Sequence, residues 1–96
     1  MSDPAPAPVI VAYHFWSPTC GPCKTIKPAV ADLWEEFPAI RFVGVNTHND
    51  PQGISAQLRV SAVPTMVVLK DGVEFARYSG VIIEGYYKML RNALTT

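Results

Sequence analysis

Hydrophobic residues follow two different periods along this chain, and the switches between them mark out the elements. Residues 9–16 (VIVAYHFW) form an apolar and aromatic run with one polar interruption, His14, and read as a buried strand. Ser17-Pro18-Thr19 breaks the run. From Gly21 the spacing becomes helical: Ile26, Val30, Leu33, Trp34 and Phe37 recur on one face, with Lys27, Asp32, Glu35 and Glu36 between them. On this spacing Trp34 is a core residue. Pro22 suits a helix's first turn, Pro28 inside the helix predicts a kink, and Pro38 closes it.

Residues 40–45 (IRFVGV) read as a second strand, 46–50 as a polar turn and 51–58 as a short helix. Residues 65–69 (TMVVL) form a third strand. Lys70-Asp71-Gly72 then turns the chain into a fourth strand over 73–78, Asp-Gly being a strong hairpin signal. Gly80 ends that strand, and Ile83, Tyr86, Tyr87, Leu90 and Leu94 make the apolar face of a last helix over roughly residues 82–94. The resulting order, β-α-β-α-β-β-α, belongs to the α/β class. Its first two strands should be parallel through a right-handed crossover. The hairpin should extend the sheet antiparallel, and helices should cover both faces.

The chain has 96 residues, 49% of them hydrophobic and 17% charged, which suits one globular domain over residues 9–96. Residues 1–8 (MSDPAPAP) read as a flexible Pro/Ala tail with no charged and apolar leader pattern. Eight basic residues balance eight acidic ones, which argues against nucleic acid or an anionic membrane as the main partner. The apolar runs are too short to span a bilayer. A monomer in the reducing cytoplasm is the expectation.

Against that background the two cysteines change the picture. They are too few for a disulfide scaffold, and as Cys20-Gly21-Pro22-Cys23 beside a strand–helix–strand pattern they read as a redox pair. Cys20 falls where the first strand meets the helix, so partial positive charge and unpaired N–H groups favour its thiolate. Only a thiolate attacks a disulfide. Cys23 lies one turn further in and should be more buried, keeping its proton longer and acting second. Gly21 and Pro22 set the tight turn. A purely structural disulfide would gain little from so short a loop. A zinc site would need ligands beyond the cysteines, and His14 and His48 do not stand at zinc-finger spacing, so no metal is expected. Lys24 and Lys27 in the first turns are either a positive rim for the thiolate or an ordinary solvated face. His48 reads as exposed.

At residues 15–28 the string FWSPTCGPCKTIKP resembles the thioredoxin signature, with Trp16, Cys20, Gly21, Pro22, Cys23, Lys24 and Pro28 matching. Val63-Pro64-Thr65 resembles the family's Ile-Pro-Thr, Lys70-Asp71-Gly72 its hairpin, and Gly80 the glycine after its last strand. The resemblance implies a minimal thioredoxin fold, with a cis bond before Pro64 against the active site and the Val63 backbone free to pair with an extended partner segment. It implies a docking surface of Gly21, Pro22, Val63, Pro64, Gly80 and Val81 around Cys20, flanked by Trp16. It also implies a protein-disulfide reductase that needs no cofactor of its own and is re-reduced by an NADPH-fed flavoprotein thioredoxin reductase.

Four departures stand out. Only the Pro/Ala tail precedes Val9 where the family carries a further strand and helix, so the mixed sheet should have four strands. Thr19 replaces a tryptophan, which should weaken docking. His14 replaces the family's buried aspartate, and Gly44 a lysine that faces it. His14 is then either a satisfied core histidine or a proton acceptor for Cys23; lacking the repulsion of a buried carboxylate, it should make the pair a stronger oxidant than the usual family member. Two rival functions remain: an oxidase or glutaredoxin-like thiol exchanger, and a redox-inactive binding module on the same scaffold. The Gly-Pro between the cysteines favours a reductase over the first. The retained cysteines and Pro64 argue against the second.

Overall fold

The computed structural model describes residues 7–96, so most of the expected tail lies outside the described residues; Ala7 and Pro8 are exposed. The elements are β1 (Ile10–Trp16), α1 (Gly21–Glu36), β2 (Arg41–Asn46), α2 (Ile54–Gln57), β3 (Thr65–Lys70), β4 (Val73–Ser79) and α3 (Ile83–Thr95). The order is the expected one. The strands form one mixed sheet arranged β2-β1-β3-β4. β1 pairs with β2 in parallel, from Val11 opposite Arg41 to Trp16 opposite Asn46. β1 pairs with β3 antiparallel, Phe15 opposite Thr65, and β4 completes the sheet antiparallel to β3. At the hairpin Asp71 and Gly72 take φ of 52° and 81°, the left-handed pair that a two-residue turn between twisted strands demands. The Asp71 carboxylate also accepts the Val9 N–H at 3.0 Å, tying the start of β1 to this turn.

Strand alternation divides the core. On one face Ile10, Ala12, Phe42, Met66 and Val68 pack against Ile26, Val30 and Leu33 of α1 and Tyr86 and Leu90 of α3. On the other, Phe15, Val45 and Val67 are covered by Ile54 and Leu58 around α2. Helices therefore lie on both faces, but α2 is shorter than the expected 51–58. Asp50 is the cause: its carboxylate accepts the Ile54 N–H at 3.1 Å, the Ser55 N–H at 2.8 Å and the Ser55 hydroxyl at 2.6 Å, so the helix can begin only after the turn it spans. These bonds hold the Asp50 pKa below the ordinary carboxylate value. Gly53 at φ 67° ends the turn, and Arg59 at φ 55° follows the helix.

Two helical assignments need correction. The buried seam of α1 is Cys23, Ile26, Val30 and Leu33, with Phe37 just beyond its end, complete without Trp34. Trp34 lies one position round from the seam, is 44% exposed, and stacks on Phe42 with ring centroids 5.3 Å apart. On α3, Ala93 rather than Leu94 continues the seam of Tyr86, Met89 and Leu90, and Leu94 is exposed. α1 runs on through Pro28.

Tyr86 links the core to the loop after β4. Its ring is fully buried, edge-on to both Tyr78 and His14, and its hydroxyl donates to the Gly80 carbonyl. Burial first, then Tyr78, pushes its pKa up to about 12, so it stays a donor. Tyr86→Phe leaves that carbonyl unpaired and should destabilise by about 1–2 kcal/mol. A lowered urea midpoint with unchanged slope would register this, and an unchanged midpoint would show that solvent replaces the bond.

Candidate active site

Register brings three chain segments to one end of the sheet. The C-terminal end of β1 leads into Cys20, Thr65 at the start of β3 pairs with Phe15, and Ser79 at the end of β4 pairs with Thr65. The Cys20 loop, the Pro64 loop and the Gly80 loop are therefore neighbours, although they are far apart in sequence.

Cys20 is the N-cap of α1, in extended backbone at φ −93° and ψ 106°. Its Sγ accepts the Cys23 N–H at 3.1 Å, and its own N–H donates to the Ser17 carbonyl at 3.2 Å. It is bonded to Cys23 as a disulfide, with Cα atoms 5.2 Å apart. Cys20 is half-buried and Cys23 is 4% exposed. Gly21, Pro22 and Lys24 are exposed, and the first turn of α1 carries no acidic residue. Once the disulfide is opened, a charge on the Cys20 sulfur meets helix N–H groups and no opposing carboxylate in that turn.

Beside it, the Val63–Pro64 bond is cis. The Pro64 carbonyl accepts the Gly80 N–H at 3.2 Å, and the buried Thr65 hydroxyl lies 2.7 Å from Ser79 Oγ. Val63 is half-buried, whereas Val81 is 45% exposed and its neighbour Ile82 is exposed too. Trp16 and Thr19 are exposed, the Thr19 hydroxyl 3.4 Å from Ser17 Oγ. Ile82 was not foreseen as part of this apolar rim. Its place outside the α3 spacing, directly after Gly80 and Val81, is the signal that could have found it.

Behind the disulfide, His14 projects from β1 on the α1 side, opposite Gly44 and Met66 in register. It is 8% exposed, and its Nε2 is buried without a hydrogen-bond partner among the described residues. Burial lowers its pKa from 6.5 to about 4, so the imidazole is neutral at pH 7. His14 and Cys23 line one cavity of about 430 Å³ between α1 and the β1–β2 pair. Trp16, Lys27, Trp34 and Gly44 line it as well. Lys27 and Trp34 were read otherwise from sequence, yet Cys23, Lys27, Ala31 and Trp34 recur at helical spacing as a second stripe beside the buried seam. His48 is exposed in the turn after β2. Among the described residues no three side chains cluster as metal ligands, and no helix is long and apolar enough to cross a membrane.

The thioredoxin family model matches residues 5–91. The thioredoxin of Pyropia yezoensis is 38% identical over 66 residues, 68% of this chain and 59% of that protein. Thioredoxin 1 of Nostoc sp. is 33% identical over 76 residues, 78% of this chain and 68% of that protein. The match to the Pyropia protein thus spans about three-fifths of that relative's length. Among solved structures, Fasciola hepatica thioredoxin is similar at a TM-score of 0.84 and 30% identity, covering 91% of this chain and 83% of that one. Thioredoxin from Trypanosoma brucei brucei reaches the same TM-score at 26% identity, covering 94% and 79%.

Proposed function

The chain belongs to the thioredoxin family, and from that premise we propose that it reduces protein disulfides, with Cys20 as the attacking thiolate and Cys23 as the resolving thiol. The observation that carries this reading is the Cys20 sulfur at the N-cap of α1 with Cys23 buried one turn behind it. In the dithiol state the Cys20 thiolate attacks one sulfur of the partner's disulfide. A Cys20–partner bond forms, the partner's own bond breaks, and the departing thiolate takes a proton from water. Cys23 then loses its proton and attacks the Cys20 sulfur. The partner leaves with its second thiol, the Cys20–Cys23 bond closes, and two electrons have passed to the substrate.

Neutral His14 is the acceptor for the Cys23 proton in this scheme: both line the same cavity, and the thiolate left on Cys23 opposes the burial that lowers the imidazole pKa. The substrate segment runs extended past Val63 and Pro64, over an apolar rim that includes Trp16, Gly80 and Val81. The donor that restores the dithiol is an NADPH-fed flavoprotein reductase in the cytoplasm. A related structure, similar at 25% identity, is thioredoxin f2 in complex with ferredoxin:thioredoxin reductase, which makes a ferredoxin-fed donor the alternative.

Insulin reduction by dithiothreitol tests the reading: the protein should bring forward the precipitation of insulin B chain, as a binding-only scaffold would not. Electron supply is then separated by replacing dithiothreitol with NADPH and a flavoprotein reductase. Thr19 offers a finer test of the rim. Thr19→Trp adds apolar contact beside Cys20 and should lower KM for a protein disulfide about two- to fivefold, as burial of part of a ring predicts. An unchanged or raised KM would remove position 19 from the docking surface.

A further inference from the structure

We propose that the cavity behind the disulfide is a binding site for a small aromatic carboxylate, sharing Trp16 with the surface that receives protein substrates. Its volume of about 430 Å³ falls in the range of small-molecule sites, whose walls are mostly apolar with a few placed polar groups. Two tryptophans flank it. Trp16 from β1 is 36% exposed and Trp34 from α1 is 44% exposed, an unusual share of water for such large rings, and a planar aromatic guest would cover both. Val30 and Ala31 add apolar wall, and Gly44 leaves the β2 side open, because no side chain extends from it.

Charge selects the guest. Lys24 and Lys27 line the cavity and are exposed, neither makes an ion pair among the described residues, and no carboxylate lines it. An anion is the group these ammoniums leave unanswered. His14 also lines the cavity, so its neutral imidazole ring forms part of the wall. The site does not depend on the reductase reading, since it is open while the cysteines are bonded to each other.

The chain's only two tryptophans both line the cavity, so their indole N–H signals report on it directly. The oxidised protein is titrated with 2-naphthoate and followed by proton–nitrogen correlation NMR, with the His14 ring protons observed in parallel. Both indole signals and the His14 signals should shift saturably, with a dissociation constant on the order of 1 mM or tighter for a ligand of this size. The neutral 2-naphthamide should bind about three- to fivefold more weakly, and Lys27→Gln should remove most of that difference. Gly44→Leu fills the space: a Cβ at this position meets only Trp16 Nε1, at 3.7 Å, so the backbone tolerates a side chain whose remaining atoms occupy the cavity. It should weaken 2-naphthoate at least about tenfold while the rest of the spectrum keeps its dispersion. Absence of saturable shifts in the wild type, equal binding of acid and amide, or undiminished binding to a folded Gly44→Leu variant would each overturn the proposal.

Discussion

Cys23→Ser should capture a protein disulfide substrate as a covalent adduct through Cys20, while Cys20→Ser should lose activity on the order of a thousandfold or more. The asymmetry comes from geometry. Cys20 is half-buried at the mouth of the helix, where its sulfur accepts a backbone N–H, and Cys23 is nearly inaccessible behind it. An incoming disulfide therefore meets Cys20 first, and without Cys23 nothing resolves the mixed bond. Removal of Cys20 leaves Cys23 as the remaining thiol, 4% exposed and away from the N-cap of α1. Mass spectrometry of the two variants after exposure to insulin reads the result directly. A partner attached to Cys23 in the Cys20 variant, with Cys20 inert in the other, would reverse the assignment.

The oxidised protein should lose about 3 kcal/mol of stability as pH falls from 6.5 to 4, the consequence of one buried imidazole. His14 titrates at its ordinary value when unfolded and at about 4 when folded, because burial disfavours its charged form. Above pH 6.5 it is neutral in both states and adds no pH dependence. Between the two values the unfolded chain binds the extra proton, so stability rises with pH across that window and levels off beyond it. Urea midpoints at pH 7, 5.5 and 4.5 would measure the slope, and His14→Gln should flatten it. A slope that survives in the variant belongs to other groups: Asp50 and Glu74 are held below their ordinary values of 3.8 and 4.5 by hydrogen bonds to Ser55 and Arg77, and their stabilisation is lost as pH falls from just above those values. The same residue offers a redox readout. His14→Asp puts a carboxylate beneath the cysteines, which should lower the reduction potential of the pair and raise the Cys20 pKa, by about 30 mV for each 1.4 kcal/mol of repulsion. If neither moves, His14 is only a packed core residue.

Much of the architecture was legible because neighbouring signals agreed. The apolar run ending at Trp16, the Cys-Gly-Pro-Cys turn and the seam from Ile26 to Phe37 specify strand, corner and helix without tertiary information, and Asp71-Gly72 specifies the hairpin. Less legible were features set by side chains acting at a distance. The start of α2 depends on the Asp50 carboxylate reaching Ser55, a bond that no period reveals. Trp34 matched helical spacing, yet hydrophobicity does not say which of two adjacent stripes faces the sheet, and here Leu33 takes the inner place. The cysteine pair could be read from spacing and helix chemistry alone. The surroundings of His14 could not, because its orphaned Nε2 and the cavity beside it arise only when α1 is laid across β1 and β2.

The register of β4 has a consequence for how copies of this chain behave toward each other. Val68 faces Ala76 but Leu69 faces Glu74, so Phe75 is an extra residue that breaks the even ladder in the outer half of the hairpin. The ammonium of Lys70 sits 5.6 Å over the Phe75 ring, and Glu74 and Arg77 hold each other at 2.6 Å on the same strand. A foreign strand that zipped onto β4 would meet a kinked row of donors and acceptors and would strip water from a charged pair. This outer strand is thus a poor template for the sheet-to-sheet stacking that leads to fibrils, even though valine, phenylalanine and tyrosine make up much of it.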